Sequence, residues 1–426
     1  MVFVIDKNKK SLDMCHPAKA RKLLKSGKAA IYRKYPFTII LKREAENEVN
    51  GYRIKIDYGS RHTGISILKG TMVMWLATMH HRTNIKQKLD ERRGYRRRRR
   101  CANLRYRKPR FNNRKRAEGW IPPSIQSRVD NIETWLKRLA SVCPVSSVSY
   151  ENVKFDTQLM QDELIHGIEY QQGELYGYEV REYLLEKFGR KCAYCGKTDV
   201  PLEIEHIIPK SRGGTNRISN LTIACHDCNE AKGSQTAEEF GHPEVQALAK
   251  KPLKDASAVT TTRWAVYRVL KRHFSDVECG TGGRTKYNRT KLGLPKEHYY
   301  DACCVGASTP DALIVKTQTV LDITAKGRGQ HQRTKVNRSG FQRAYMPRKK
   351  DFFGFQSGDM VKAIVPSGNK KGIYYGTVGC RNSGYFNIKT VKSCVQGINH
   401  KYFELIQRND GYGYSTERRK AIPPTT

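Results

Sequence analysis

Four cysteines form two CxxC pairs, Cys192 with Cys195 and Cys225 with Cys228, separated by 29 residues. Thiolates at that spacing can close a tetrahedral shell around zinc, and four of them leave no open position for chemistry, so such a metal is a staple. The alternative is a zinc ribbon that only binds nucleic acid. Between the pairs runs EIEHIIPKSRGGTNRISNLTIACHDCNEAKGS, in which Glu205 and His206 end a strand-like run, Asn220 precedes Leu221, and Asn229 begins a helix-like run. A histidine that titrates near neutrality can take a proton from water, and hard cations choose oxygen ligands. Three further stretches carry acids. Asp57 ends IKID, Glu151 ends VSSVSYE, and His298 stands three residues before Asp301 in HYYDACC.

These groups need a scaffold that gathers them. From 52 to 80 three β-rich runs separated by glycines predict an antiparallel meander. IQSRVDNIETWLKRLAS follows, with Ile125, Val129, Ile132, Trp135, Leu136 and Leu139 on one helical face, and then VSSVSYENV resumes a strand. Near 260–274 and 298–308 two more helices are expected. Residues 2–41 read strand, helix, strand, with Pro17 at the helix start and Gly27 at its end. Beyond about 330, short strands between SGNKKG- and RNSG-type turns suggest a small barrel.

The meander leads into RRGYRRRRRCANLRYRKPRFNNRKR, with twelve arginines and two lysines in 25 residues. Neighbouring like charges at helical spacing repel by roughly 0.5–1 kcal/mol each in water, so the run is not a comfortable helix alone. Phosphates would change that, because the arginine fork grips phosphate oxygens in pairs. The whole chain of 426 residues carries a formal charge of +39, which a protein tolerates most easily beside a polyanion. At 38% hydrophobic content it is globular rather than disordered. No apolar run reaches spanning length, no membrane partner is expected, and MVFVIDKNKK lacks the order of a secretory signal, so a cytosolic location is expected. The eight cysteines outside the two pairs show no ligand spacing.

The segment around His206 resembles the HNH nuclease motif, with glutamate where many members have aspartate. The resemblance implies that His206 is the general base, that Glu205 and Asn229 hold one magnesium, and that Asn220 keeps the loop in shape. The stretches of Asp57, Glu151 and Asp301 resemble the three split motifs of RuvC-like nucleases. In their RNase H-like α/β sheet, strand ends and one helix bring such carboxylates to one cleft with two magnesium ions, and His298 would assist as base or ligand. A split RuvC with an arginine bridge after its first part and an HNH before its third resembles the IscB family. These are transposon-associated, RNA-guided nucleases related to type II CRISPR effectors.

That resemblance implies a multidomain α/β chain. Its expected parts are a PLMP-like module at 1–50, with SLDM at the naming residues, RuvC-I at 51–81, a bridge helix at 82–116, RuvC-II and a linker at 117–178, a zinc-stapled HNH at 179–245, RuvC-III at 246–330, and a β-rich domain at 331–426 that reads a DNA motif flanking the target. Arg92, Arg93, Arg96, Arg97, Arg98, Arg99, Arg100, Arg105, Arg107, Arg110 and Arg114 would contact nucleic acid. The implied partners are a guide (omega) RNA and double-stranded target DNA, bound by a monomer within a ribonucleoprotein. HNH would cut the guide-paired strand and RuvC the displaced one. Two alternatives stay open, a protein-only restriction or homing-type HNH enzyme and a non-catalytic RNA-binding protein.

Overall fold

The computed structural model describes residues 1–45, 51–102, 120–152, 178–214, 220–250, 256–327, 334–391 and 393–422. The chain opens with β1 (Val2–Ile5), β2 (Ser11–Cys15), α1 (Pro17–Lys25), β3 (Ala29–Arg33) and β4 (Thr38–Leu41), paired in the order β2-β1-β4-β3. Helix α1 starts at Pro17, whose missing N–H costs nothing in the first turn, and the chain leaves it through Gly27 at φ 68°. The expected strand, helix, strand is thus incomplete: SLDM lies in β2, antiparallel to β1. Next come the meander β5 (Tyr52–Tyr58), β6 (His62–Lys69) and β7 (Met72–His80), the arginine helix α2 (Ile85–Cys101), α3 (Pro123–Ala140) and β8 (Val145–Glu151). A separate ββα unit follows, with α4 (Tyr178–Lys187), β9 (Leu202–His206), β10 (Leu221–Cys225), α5 (His226–Lys232) and α6 (Pro243–Lys250). The chain then returns through α7 (Ala256–His273), β11 (Asp276–Gly280), α8 (Gly282–Lys291), α9 (His298–Cys303), β12 (Ile314–Val315) and β13 (Thr319–Ala325).

One eight-stranded sheet organises the chain, in the order β11-β8-β5-β6-β7-β13-β23, where β23 is Tyr412–Arg418 near the C-terminus, with β12 also on β7. Strands β11, β8 and β5 run parallel, β5 to β7 are antiparallel, and β13 runs parallel to β7. Alternation along each strand decides which face a residue meets. Ile54, Ile56, Ile65, Ile67, Trp75 and Ala77 pack under α3 and α7, where the six-residue apolar stripe of α3 is wholly buried. Burial of each such side chain contributes about 1.5–3 kcal/mol. The intervening residues face α9, whose Tyr299, Tyr300 and Cys303 cover Leu68, Leu76 and Val320. Helix α9 sits low on the sheet at Gly64, which has no side chain: a Cβ there would lie 1.8 Å from the His298 carbonyl oxygen. Buried Lys55 ties down the chain beyond it, donating to the Val305 carbonyl at 2.7 Å and to Thr309 Oγ1 at 3.1 Å.

The C-terminal part contains two short hairpins, β14 (Thr334–Val336) with β15 (Gln342–Tyr345) and β16 (Asp351–Phe352) with β17 (Phe355–Gln356). A five-stranded antiparallel sheet follows, built from β18 (Met360–Val365), β19 (Gly372–Gly379), β20 (Tyr385–Lys389), β21 (Cys394–Asn399) and β22 (Phe403–Gln407) in the order β21-β20-β19-β18-β22. Among the described residues β21 and β22 do not pair, so hydrogen bonds do not close the expected barrel. The boundary of 331–426 also needs correction. The last strand, β23 (Tyr412–Arg418), pairs along its length with β13 and belongs to the main sheet. No described helix is long and apolar enough to cross a membrane.

Candidate functional site

The parallel strands β5 and β8 carry Asp57, next to last in β5, and Glu151, last in β8, side by side, and both residues fall on the face turned toward α9. The low seat of α9 then brings His298 Nδ1 to 3.3 Å from Asp57 Oδ2. That contact raises the His298 pKa, against the effect of burial, since the carboxylate favours the imidazolium. Burial and the neighbouring Asp57 push Asp301 up to about 6, although Arg289 Nε lies 2.9 Å from its Oδ1. Glu151 is raised by burial and by Asp57, with Arg263 and Arg190 working the other way. Asp57 thus perturbs each of the other three residues, Glu151, His298 and Asp301. Sequence reading missed the arginines around them, because α8 and the turn at Arg190 carry no recognisable spacing.

The same end of the sheet holds a set of histidines. His62 and His80 are a cross-strand pair on β6 and β7, with their Nδ1 atoms 2.8 Å apart, and His80 Nε2 lies 3.0 Å from Asp322 Oδ1 on β13. On the opposite face His81 is buried, meets Thr63 Oγ1 at 2.7 Å, and is pushed down to about 3 by burial.

In the ββα unit the strands β9 and β10 pair antiparallel, and the four cysteine sulfurs lie within 4.8 Å of one another. They are the one group of potential metal-ligating side chains that close among the described residues. Burial disfavours the Cys192 thiolate, yet backbone N–H groups of Cys195, Cys225 and Tyr194 hold its pKa down to about 7. Such a donor set suits zinc. Asn220 accepts from Ile208 N at 2.9 Å and donates to Ile208 O at 3.0 Å, clasping the loop after His206.

The expected pairing of Glu205 with Asn229 is not assembled. Glu205 is 5% exposed, accepts from Tyr194 Oη at 2.6 Å, and forms an ion pair at 2.5 Å with Lys232, which is fully buried. Lys232 Nζ also donates to the His206 carbonyl at 2.9 Å. Both carboxylate oxygens are thus occupied by a cation and a hydroxyl, and Asn229 instead donates to Glu203 at 2.7 Å. Glu203 and Glu205 share a strand face, and the register alone does not say which is swallowed by the core. The position of Lys232 decides it.

Helix α2 buries none of its 17 residues and carries Arg98, Arg99 and Arg100 in its last turn, where they complement the helix dipole. Its described anchors are few. Tyr95 packs on Gly340, where a Cβ would fall 2.5 Å from the tyrosine Cβ, and Arg98 donates to the Arg338 carbonyl at 3.1 Å. Arg92, Arg93 and Arg96 to Arg100 all lie on this helix, while Arg105, Arg107, Arg110 and Arg114 fall outside the described residues.

Residues 192–243 match the HNH endonuclease family, and residues 2–173 match the RRXRR protein family. Among solved structures, Cas9 of Streptococcus thermophilus in complex with the GGAA PAM aligns at 13% identity and a TM-score of 0.21, over 60% of this chain and 32% of that one. The type II-C Cas9 of Actinomyces naeslundii aligns at 14% identity and a TM-score of 0.17, over 62% of this chain and 60% of that one. The chain spans about a third of the length of the Streptococcus protein. No protein of curated function matches it significantly. The fold is mixed α/β, and the stretch that matches the HNH endonuclease family follows the one that matches the RRXRR family. The chain is a relative of the IscB family of nucleases.

Proposed function

We propose that the protein is an RNA-guided DNA endonuclease with two cutting centres, the ββα unit acting on the guide-paired strand and the acidic site of the main sheet on the displaced strand. The observation that carries this reading is the basic helix α2, whose arginines form no ion pair among the described residues and which begins five residues after the strand that ends beside the acidic site. A long exposed arginine helix gains its counter-charge from phosphates, and a guide RNA paired with DNA supplies them along its whole length. Sequence would then be read by base pairing, with the C-terminal sheet left to read a short flanking motif.

In the acidic site the residues fit magnesium. Burial and mutual repulsion hold Asp301 and Glu151 above their ordinary pKa, and a divalent cation among the carboxylates offsets that repulsion. When bound, it would stabilise charge on the phosphate and its leaving oxygen. The chain's own contribution is positional. Asp57 accepts from His298 Nδ1 and leaves Nε2 as the proton acceptor for water. In the ββα unit Glu205 and Asn229 do not form a magnesium pair, so the chemistry of that unit rests on His206, the base on the end of β9.

The protein purified with its RNA should cut DNA complementary to the guide and follow the guide when its sequence is changed. Cutting at a fixed site by protein stripped of RNA would favour the protein-only reading. Zinc offers a second check, since structural sites of this kind supply about 10–16 kcal/mol of apparent binding energy. Cys228→Ser is expected to unfold the ββα unit and stop cutting of the guide-paired strand, with zinc content falling in step. Retention of full zinc and full cutting would remove the staple.

A further inference from the structure

Asp322, His80 and His62 form a hydrogen-bonded chain that ends beside His298 and that the proposed chemistry does not yet use. Its polarity can be worked out from its far end. An ionised carboxylate only accepts, so His80 Nε2 must carry the proton that Asp322 Oδ1 receives at 3.0 Å. A neutral His80 then has a bare Nδ1, and the 2.8 Å contact requires His62 Nδ1 to donate to it. A neutral His62 is left with a bare Nε2, which has no partner among the described contacts. Glu417 of β23 is also hydrogen-bonded to Asp322, and that contact raises the Glu417 pKa. Arg61 and His298 are the other charged or titratable groups about His62, and both disfavour a second proton on it. The His62 and His298 ring centroids are 5.4 Å apart at an interplanar angle of 32°.

We infer that His62 is a positioning residue of the acidic site, locked by Asp322 and His80 in the tautomer that offers an acceptor, so that its Nε2 holds the hydrolytic water for His298. The inference rests on the nuclease reading of that site. No proton travels along the chain; its value is a fixed polarity, because a donor at the same place would turn the water's lone pairs away from the phosphate. The device needs three strands, and only their register makes it. His62 and His80 are opposite one another on β6 and β7, and Asp322 faces the same side from β13.

The test uses the assembled ribonucleoprotein and follows the two strands separately. His62→Ala should slow displaced-strand cutting by about 10- to 100-fold, less than the roughly 10²–10⁴-fold that follows loss of the proton-transfer group itself, with guide-paired cutting unchanged as the measure of an intact complex. Asp322→Asn is the decisive variant. Its amide can donate to His80 Nε2, which reverses both imidazoles and leaves a proton on His62 Nε2. It should therefore be slower than Asp322→Ala, which only releases the tautomer, and long-range nitrogen–proton spectra of histidine-labelled protein should show the exchange. If Asp57→Ala abolishes displaced-strand cutting but His62→Ala and Asp322→Asn stay within twofold of the parent, the inference is wrong and the nuclease reading survives. An Asp322→Asn no slower than Asp322→Ala would overturn the tautomer argument in the same way. If Asp57→Ala itself leaves that strand cut normally, the nuclease reading of this site fails and takes the inference with it.

Discussion

Asp57→Ala is expected to abolish cutting of the displaced strand while the guide-paired strand is still cut, and His206→Ala to do the reverse. Asp57 is the hub of the acidic site. It accepts from His298, and its charge is among the causes of the raised pKa of both Glu151 and Asp301. Removing it takes away the partner of His298 Nδ1 and an oxygen ligand of the proposed magnesium, an expected combined loss of several kcal/mol in the transition state, or about a thousandfold or more at roughly 1.4 kcal/mol per decade. The converse variant removes a single base, for which about 10²–10⁴-fold is usual. His206 lies in a ββα unit with its own apolar core and its own cysteine cluster, so neither variant disturbs the other's scaffold. A nicked product of opposite strandedness in the two variants is the expected pattern. Equal loss on both strands in either variant would mean that the centres are not independent.

Why the acidic site was legible at a distance follows from strand alternation. Asp57 and Glu151 each close an apolar run with a period of two, so their face was set once the two strands were adjacent. His298 and Asp301 were recognisable as one face of a short helix. The ββα unit divides differently. The cysteine pairs and the Asn220 clasp are local in sequence and could be read from it, whereas the fate of Glu205 depends on Lys232, 27 residues away, reaching across the unit to a carboxylate that Tyr194 also holds. A buried ion pair of that kind is invisible to periodicity, which treats Lys232 as a solvated end of a helix. The same limit explains the C-terminal boundary. Strand β23 follows a run of similar short strands, and its antiparallel pairing with β13, about ninety residues earlier, has no marker in either segment.

Helix α2 was expected to be uncomfortable without a polyanion, yet it is helical from Ile85 to Cys101. Arginine, lysine and glutamine are good helix formers, and a basic last turn suits the dipole, so propensity outweighs repulsion at the surface, where water and salt weaken it. The repulsion is still present in pairs such as Arg92 with Arg96 and Arg96 with Arg100, each costing about 0.2–0.5 kcal/mol at that spacing.

That balance sets up the second large effect. Exchanging Arg96 to Arg100 for glutamine keeps the unbranched stems that favour the helix but removes five charges, so the free protein should melt at the same temperature or slightly higher. RNA binding should move the opposite way. At about 0.7–0.9 counterions released per phosphate contact, the slope of log affinity against log salt should flatten by about 3.5–4.5 if all five arginines meet phosphates, so that the parent loses about two to three decades more affinity than the variant between 50 and 200 mM salt. The opposite signs separate this outcome from simple misfolding, which would lower both melting temperature and affinity. A variant that binds RNA with the parental slope would show that the phosphates lie elsewhere, and the exposed helix would lose its role as the element that joins guide to protein.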